Sequence, residues 1–241
     1  ELSAFAEITR RYEAFCDTLD TPPYTQPAPD ALERAQAFFR SMTLRIRHGQ
    51  VTGQPIHDIT AYAHAMAAFA RAYCAAPSVE LLEQYVLLLR HLEEQNIAFN
   101  WYHGRGIASS VLRMRKPLAA GGMLSHTLSF LRQAYEFGKV YTVSSHHGIP
   151  GKIFEDSDAV ATELPSLLAC ILLTESTPEK VRDMRHFLYY LEHVCLGTAP
   201  GIASGYKPDG TIFHHGGYIR NYQKVALYTL ARILRLLSGT V

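Results

Sequence analysis

The chain has 241 residues, enough for one large domain or two small ones with a substantial buried core. It carries 23 basic and 22 acidic residues, so its net charge of +1 does not favour a nucleic-acid-binding protein. The most apolar run, residues 164–173, is about ten residues long and too short to cross a bilayer.

The first quarter of the chain predicts two helices. Apolar residues at helical spacing predict a first helix to about Asp20, and a proline-rich connection follows to Pro29. Asp30 is a candidate to begin or cap a second helix, whose apolar stripe is predicted to extend to Ile46. Residues 49–55 are predicted to interrupt the helical pattern.

Further helices are predicted through the middle of the chain. Residues 57–75 predict an alanine-rich, deeply buried helix, and Ser78 is the expected cap of the next one. Residues 96–115 are less regular, whereas residues 116–141 are mostly helical in pattern. A loop rich in His and Gly is predicted at residues 143–157.

The last third of the chain contains the longest segment without a helical pattern. Asp158 is predicted to begin a helix with Pro165 near its first turns, and Thr177 is predicted to cap another. Residues 201–222 are not helical in pattern, and residues 223–237 are the last predicted helix. We therefore predict an all-α fold of roughly seven to nine helices with almost no strand. Short connections favour antiparallel helix pairs, as in an α/α toroid or incomplete toroid with long rim loops.

Four cysteines lie far apart and have no metal-ligand spacing. Each falls within an apolar helical pattern, so we expect buried thiols without disulfides. They are Cys16, Cys74, Cys170 and Cys195.

Residues 201–222 concentrate glycine, histidine and tyrosine. Pro-Asp-Gly at residues 208–210 predicts a turn, and residues 211–213 predict a short extended piece. Two adjacent histidines, His214 and His215, follow directly. A packed core has little use for this composition, whereas a site that brings backbone close to a ligand and needs proton donors and acceptors does.

Residues 205–222 carry K-P-D-G-T-x-F-x-H-x-G and a Tyr seven residues after the His. This pattern resembles the catalytic loop of polysaccharide lyase family 8, which contains chondroitin, hyaluronan and xanthan lyases, and it is especially similar to that of the chondroitin sulfate ABC lyases. The predicted helices are compatible with the α/α-toroid domain of that family. The resemblance implies a carbon–oxygen lyase that cleaves glycosaminoglycans (chondroitin or dermatan sulfate, or hyaluronan) by β-elimination, giving unsaturated products.

Matched residue by residue, the family's His falls on His215 and its Tyr on Tyr222. The resemblance implies that Tyr222 is the acid, and also the base when the C5 proton lies on the same face. It implies that His215 binds the uronate carboxylate or takes part in proton removal. His214 is an adjacent candidate for substrate binding, although the family spacing favours His215 as the catalytic residue. Arg220 and Lys207 are candidate anion contacts or, alternatively, solvated charges.

A second candidate group lies upstream. In Trp101-Tyr102-His103-Gly104-Arg105-Gly106, Trp101 is a candidate to stack on a sugar, and Arg105 offers a fork for a carboxylate or sulfate. The ABC lyases use a further upstream His, which makes His103 the third catalytic candidate, against the alternative of an ordinary loop residue. His147 is the next candidate and a predicted substrate contact.

The family site also uses an Arg and a Glu well beyond the Tyr, and the family has β-sandwich domains. Neither has a match in residues 1–241. The resemblance thus implies a single α/α-toroid catalytic-type domain, a fragment of a larger multidomain lyase that is incompletely active or inactive alone. It implies a periplasmic or secreted protein, although no signal peptide is visible. The expected partners are an acidic polysaccharide and the β-sandwich domains of the parent protein. No membrane partner is expected. No cofactor is required; a divalent cation such as calcium is compatible but not indicated.

Three alternatives stay open at this point. The chain could be an acidic-glycan-binding α/α module without turnover, or a helical scaffold that binds protein. A glycoside hydrolase on the same toroid would need two carboxylates across the cleft. The loops offer only Asp209, Glu155 and Asp156 for that purpose.

Overall fold

The structure is a computed structural model, and it describes residues 2–19, 29–97, 104–142 and 157–240. Twelve α-helices and five short strands make up the regular structure within these ranges. The helices are α1 (Leu2–Leu19), α2 (Ala31–Ser41), α3 (Ile59–Ala75), α4 (Val79–Gln95), α5 (Ile107–Arg113), α6 (Arg115–Ala120), α7 (Leu124–Ala134), α8 (Lys139–Thr142), α9 (Ser157–Thr162), α10 (Leu164–Leu173), α11 (Thr177–Tyr190) and α12 (Arg220–Leu237). The all-α class predicted from the sequence is confirmed.

The strands form two small antiparallel sheets. One pairs β1 (Arg45–Arg47) with β2 (Gln50–Thr52). The other has the order β3 (Gly205–Tyr206), β4 (Ile212–His214) and β5 (Gly217–Tyr218). A π-helical turn at Leu191–Cys195 continues α11 and leads the chain toward this second sheet.

The centre of the core is α10. All ten of its residues are buried, as expected for a helix that is apolar all round. It packs against α1, α5, α7, α9, α11 and α12. The hydroxyl of Tyr12 donates to the carbonyl of Pro165 at 2.7 Å and lies 3.0 Å from the Ser109 hydroxyl, which ties α1 to α10 and α5. The one helix predicted to begin at Asp158 is two helices in the structure, α9 and α10, and Pro165 stands in the first turn of the second.

Caps and short connections fix the first helix pairs. Only residues 76–78 join α3 to α4, so the two helices run antiparallel. Ser78 accepts a hydrogen bond from the Leu81 N–H at 3.2 Å and is the cap predicted from the sequence. Asp58 caps α3 in the same way through Ala61, at 2.9 Å.

The predicted extension of the second helix to Ile46 is wrong. The helix ends at Ser41, and Thr43 takes a positive φ of 49° that turns the chain into β1. Ile46 then lies on a strand and is 59% exposed. The hairpin turns through His48 and Gly49, both with positive φ. Ile46 stands at helical spacing from the apolar stripe of α2, but this spacing did not indicate that the helix continues to Ile46.

Three of the four cysteines are buried, and none forms a disulfide. Burial raises the pKa of the Cys170 thiol to about 12, which makes it unreactive near neutral pH. The prediction is wrong for Cys74, which is exposed near the end of α3. No helix among the described residues is long and apolar enough to cross a membrane.

The packing of α9 against α12 positions the second sheet. These two helices make extensive contact, and both also contact β4. The Thr229 hydroxyl donates to the Ala161 carbonyl at 3.2 Å, which joins the helices at a buried point. Side chains from α9, β4 and the start of α12 therefore meet in one place.

Candidate active site

The turn between β3 and β4 is built by Asp209. Its Oδ1 accepts hydrogen bonds from the backbone N–H of Thr211 at 3.0 Å and from the Thr211 hydroxyl at 2.7 Å. Gly210 follows with φ of 82°, a conformation that glycine adopts without strain. The turn predicted at residues 208–210 is confirmed. It fixes which residues of β3 and β4 pair, and β4 leads to the candidate histidines.

His215 and Gly216 form the two-residue turn between β4 and β5. His214 pairs with Gly217 across it, and the two turn residues have φ of 52° and 80°. Two successive left-handed residues are the signature of a type I′ hairpin turn. A left-handed φ is uncommon outside glycine, although histidine adopts it more often than most residues. The turn holds His215 at the exposed tip of the sheet.

Three aromatic rings meet where this sheet contacts α12. The ring centroid of His214 lies 4.1 Å from that of Tyr222 and 3.9 Å from that of His215. His215 meets Tyr222 edge-on, with 6.0 Å between centroids and 88° between planes. Tyr222 stands in the first turn of α12, because this helix begins at Arg220 and not at residue 223 as predicted. We call His214, His215 and Tyr222 the His-Tyr cluster.

His214 is the buried member of the His-Tyr cluster. Only 3% of its surface is exposed, and its Nε2 lies 3.3 Å from Oδ2 of Asp158 on α9. This is an ion-pair distance without the alignment of a good hydrogen bond. The Asp158 carboxylate lies beside Nε2 of the ring, and Tyr222 lies against the ring itself.

Three tyrosines belong to the segment of residues 201–222, and they differ in surroundings. Tyr206 is half-buried, and burial raises its pKa to about 12. Tyr218 is 54% exposed on the edge strand β5. Among the described ring contacts, Tyr222 is the tyrosine that touches both histidines. Tyr222 is therefore the tyrosine of this segment whose ring contacts both adjacent histidines.

Lys207 has neither of the roles expected from the sequence. It is only 8% exposed, so it is neither a solvated charge nor an open anion contact. Its Nζ donates to the carbonyls of Ala199, at 3.1 Å, and Ala203. The ammonium group also lies 4.7 Å from the centre of the Phe213 ring. Lys207 therefore anchors the preceding loop to the sheet.

The other candidate residues are not part of this three-ring contact or lie outside the described residues. Arg220 is exposed at the first position of α12. Arg105 lies just before α5 and near His64 of α3, whose pKa is lowered by burial and, to a smaller extent, by the charge of Arg105. Arg105 is thus not a member of the His-Tyr cluster. Three predicted site residues lie outside the described residues: Trp101, His103 and His147.

Asp158 is the residue of this site that the sequence did not reveal. The pattern around it predicts only the start of a helix, and nothing nearby relates it to a histidine far along the chain. The contact exists because α9 packs beside β4. In the part of the chain that the structure describes, no three His, Cys, Asp or Glu side chains are grouped as metal ligands.

Residues 33–241 match the family model described as "Lyase, catalytic". The match covers most of the chain and contains the second sheet, α9, α12 and the His-Tyr cluster. The chain belongs to this lyase family. The resemblance of the lyase chain to polysaccharide lyase family 8 is confirmed, and so is its all-α, toroid-like fold.

The lyase chain is similar to a protein of Bacteroides thetaiotaomicron that is named chondroitin sulfate ABC exolyase. The two are 27% identical over 170 residues, which is 67% of this chain and 16% of the relative. The lyase chain therefore spans only a small part of that relative's length.

Proposed function

We propose that this chain is the catalytic domain of a polysaccharide lyase that cleaves uronic-acid-containing glycosaminoglycans by β-elimination. One observation carries the proposal: in a chain of the lyase family, His215 and Tyr222 meet edge-on with 6.0 Å between ring centroids. His215 is exposed beside this contact, so a sugar residue can reach both side chains. The name of the similar protein favours chondroitin sulfate as a substrate, and dermatan sulfate is a further candidate that the family resemblance implies.

The elimination has three requirements. The uronate carboxylate must be neutralised so that the C5 proton becomes acidic, and a base must then remove that proton. The electron pair forms the C4=C5 double bond as the C4–O bond breaks, and the leaving oxygen takes a proton. The products are an unsaturated uronate end and a free hydroxyl on the leaving sugar.

We assign these steps to the exposed edge of the His-Tyr cluster. His215 binds the carboxylate or takes part in removing the C5 proton, since an imidazole ring can both donate and accept a hydrogen bond. The hydroxyl of Tyr222 gives its proton to the leaving oxygen. When the C5 proton lies on the same face, Tyr222 acts first as the base: its phenolate takes the C5 proton, and the phenol so formed gives that proton to the leaving oxygen, so Tyr222 ends in the state in which it began. Arg220, exposed two residues before Tyr222, is a proposed contact for an anionic group of the substrate.

His214 and Asp158 are proposed as positioning residues. His214 is too buried to contact a sugar over much of its surface, which argues against the substrate-binding role expected from the sequence. Its ring instead lies between Asp158 and Tyr222. A positive charge on His214, balanced by Asp158, would stabilise the negative charge that develops on the Tyr222 oxygen.

The proposal has three further parts. Hyaluronan is a further candidate substrate because it also carries uronic acid. The protein acts in the periplasm or outside the cell, where it encounters such polymers. Residues 1–241 act as one catalytic-type domain together with β-sandwich domains elsewhere in the same protein.

The test is an elimination assay on the full-length protein, with chondroitin sulfate, dermatan sulfate and hyaluronan as separate substrates. Unsaturated product is measured by its ultraviolet absorbance. Tyr222→Phe removes only the hydroxyl and keeps the ring against His214, so we expect a loss of about 10³-fold in rate. Tyr218→Phe is the matched control, because this exposed tyrosine lies on the neighbouring strand.

Each outcome of this assay decides the proposal. Elimination that is lost in Tyr222→Phe and kept in Tyr218→Phe supports it. A Tyr222→Phe protein with the parent's rate would refute the assigned chemistry. Binding of the polymers by the parent protein without any unsaturated product would favour the alternative of a non-catalytic glycan-binding module.

A further inference from the structure

A concentration of positive charge surrounds the first hairpin. Residues 34–57 contain four arginines and no Asp or Glu, although the net charge of the whole chain is only +1. These arginines are Arg34, Arg40, Arg45 and Arg47. Arg34 is paired with Asp30 at 3.3 Å, which leaves the hairpin itself as the centre of the unbalanced charge.

Two of these arginines point to the same side of the hairpin. Arg45 and Arg47 are two residues apart on β1, and alternate residues of a strand share a face. Thr52 lies directly opposite Arg45, and Gln50 lies opposite Arg47, so both also belong to this face. All four side chains are exposed. The face therefore combines two guanidinium groups with uncharged hydrogen-bonding groups.

The hairpin is held firmly against α4. Val51 is 2% exposed, and its N–H donates to Oε2 of Glu94 at 2.5 Å. Arg90, one turn earlier on α4, donates to the carbonyl of Gly49 in the turn. A Cβ at Gly53 would come within 2.6 Å of a backbone oxygen, which shows how closely the end of the hairpin packs. The two arginines are thus presented by a fixed support.

An open cavity of about 340 Å³ lies on this face. It is lined by Thr43, Arg45, Arg47, Thr52, Gly53 and Gln54. In the described parts of the chain, neither Arg45 nor Arg47 has a carboxylate within ion-pair distance. We call this cavity and its lining the hairpin site.

We propose that the hairpin site binds the sulfate and carboxylate groups of an acidic glycan chain. A guanidinium group can donate two parallel hydrogen bonds to either group, and the side-chain amide of Gln54 can donate to a remaining oxygen. The identity of the polymer rests on the proposed function. The hairpin site packs on α4, whereas the His-Tyr cluster lies against α9 and α12. A second point of attachment would raise the local concentration of a long polymer around the protein.

Calorimetric titration with sulfated chondroitin tests the proposal, in the full-length protein carrying Tyr222→Phe so that the polymer stays intact. At one fixed salt concentration, we expect Arg45→Ala with Arg47→Ala to weaken binding about tenfold. Arg45→Lys with Arg47→Lys should give a smaller loss, because lysine keeps the positive charge and lacks only the guanidinium group that donates two parallel hydrogen bonds. The matched control is Lys116→Ala with Arg185→Ala, two exposed cations without an ion pair in the described parts of the chain. Circular dichroism checks that all proteins are folded.

The outcomes separate this proposal from the proposed function. A tenfold loss at the hairpin pair with a loss under about twofold at the control pair supports the hairpin site, even if no elimination is ever seen. Equal losses in the two pairs would overturn it, because total charge would then explain binding. Unchanged affinity in the hairpin pair, or no binding by the parent, would also overturn it while leaving the elimination assay to judge the chemistry.

Discussion

The chain turns two hairpins through the same dipeptide, His-Gly. His48-Gly49 joins β1 to β2 and His215-Gly216 joins β4 to β5, with φ of 51° and 80° in the first turn and 52° and 80° in the second. The first turn is exposed above α4, whereas the second brings its histidine edge-on to Tyr222. The two His-Gly turns thus have the same backbone conformation. They differ in the helices beside them, and those helices determine which groups the imidazole contacts.

The largest expected difference between the hairpins is in catalysis. Asn adopts the left-handed conformation readily, so His48→Asn and His215→Asn should both keep their turns. We expect His215→Asn to lower kcat/KM for elimination about 10²–10³-fold, and His48→Asn to leave it unchanged. Steady-state kinetics on the full-length protein measure both values. Equal effects of the two changes would show that the surroundings of the second turn have no special role.

A second difference concerns how each hairpin is anchored. Lys207 is buried and donates to two carbonyls of the loop before β3, in the sheet that carries the second hairpin, whereas Arg90 reaches the Gly49 carbonyl from a more exposed position. Lys207→Met keeps the apolar length and leaves two carbonyls without a donor, which should lower the free energy of unfolding by about 2 kcal/mol. Arg90→Met should cost less than about 1 kcal/mol. Denaturant unfolding compares them, and a larger loss for Arg90→Met would contradict this account.

The third difference is the carboxylate beside the second hairpin. Asp158→Asn keeps the shape of the side chain but removes its charge next to His214. If the pair positions the His-Tyr cluster, kcat should fall about tenfold while KM and the unfolding midpoint stay near those of the parent. Asp158→Glu should recover part of kcat because it restores the carboxylate. A rise in KM at constant kcat would instead indicate that this pair contacts substrate.

Local signals in the sequence were sufficient for much of the fold. The apolar, alanine-rich pattern of residues 57–75 predicted the helix α3, and Ser78 and residues 208–210 were assigned correctly because capping and turn formation depend on adjacent residues. The first hairpin was missed for a physical reason. Ile46 follows the stripe of α2 at helical spacing, and a His-Gly turn is a weaker signal than Asn-Gly.

The site was only partly accessible to the same reasoning. Resemblance to the catalytic loop of the lyase family singled out His215 and Tyr222, but it could not show that adjacent histidines would differ in burial, His214 being 3% exposed and His215 exposed. That difference arises because α9 brings Asp158 beside β4, a contact between distant parts of the chain. The burial of Lys207 has the same kind of cause.

Chemical rescue by imidazole tests the central claim most directly. His215→Gly suits the left-handed turn and opens a slot beside Tyr222, at an exposed position that a small molecule can enter. We predict that elimination is lost in His215→Gly, that added imidazole restores part of it in proportion to its concentration, and that Tyr222→Phe is not restored. A His215→Gly protein that eliminates at the parent rate without imidazole would contradict the assignment of His215.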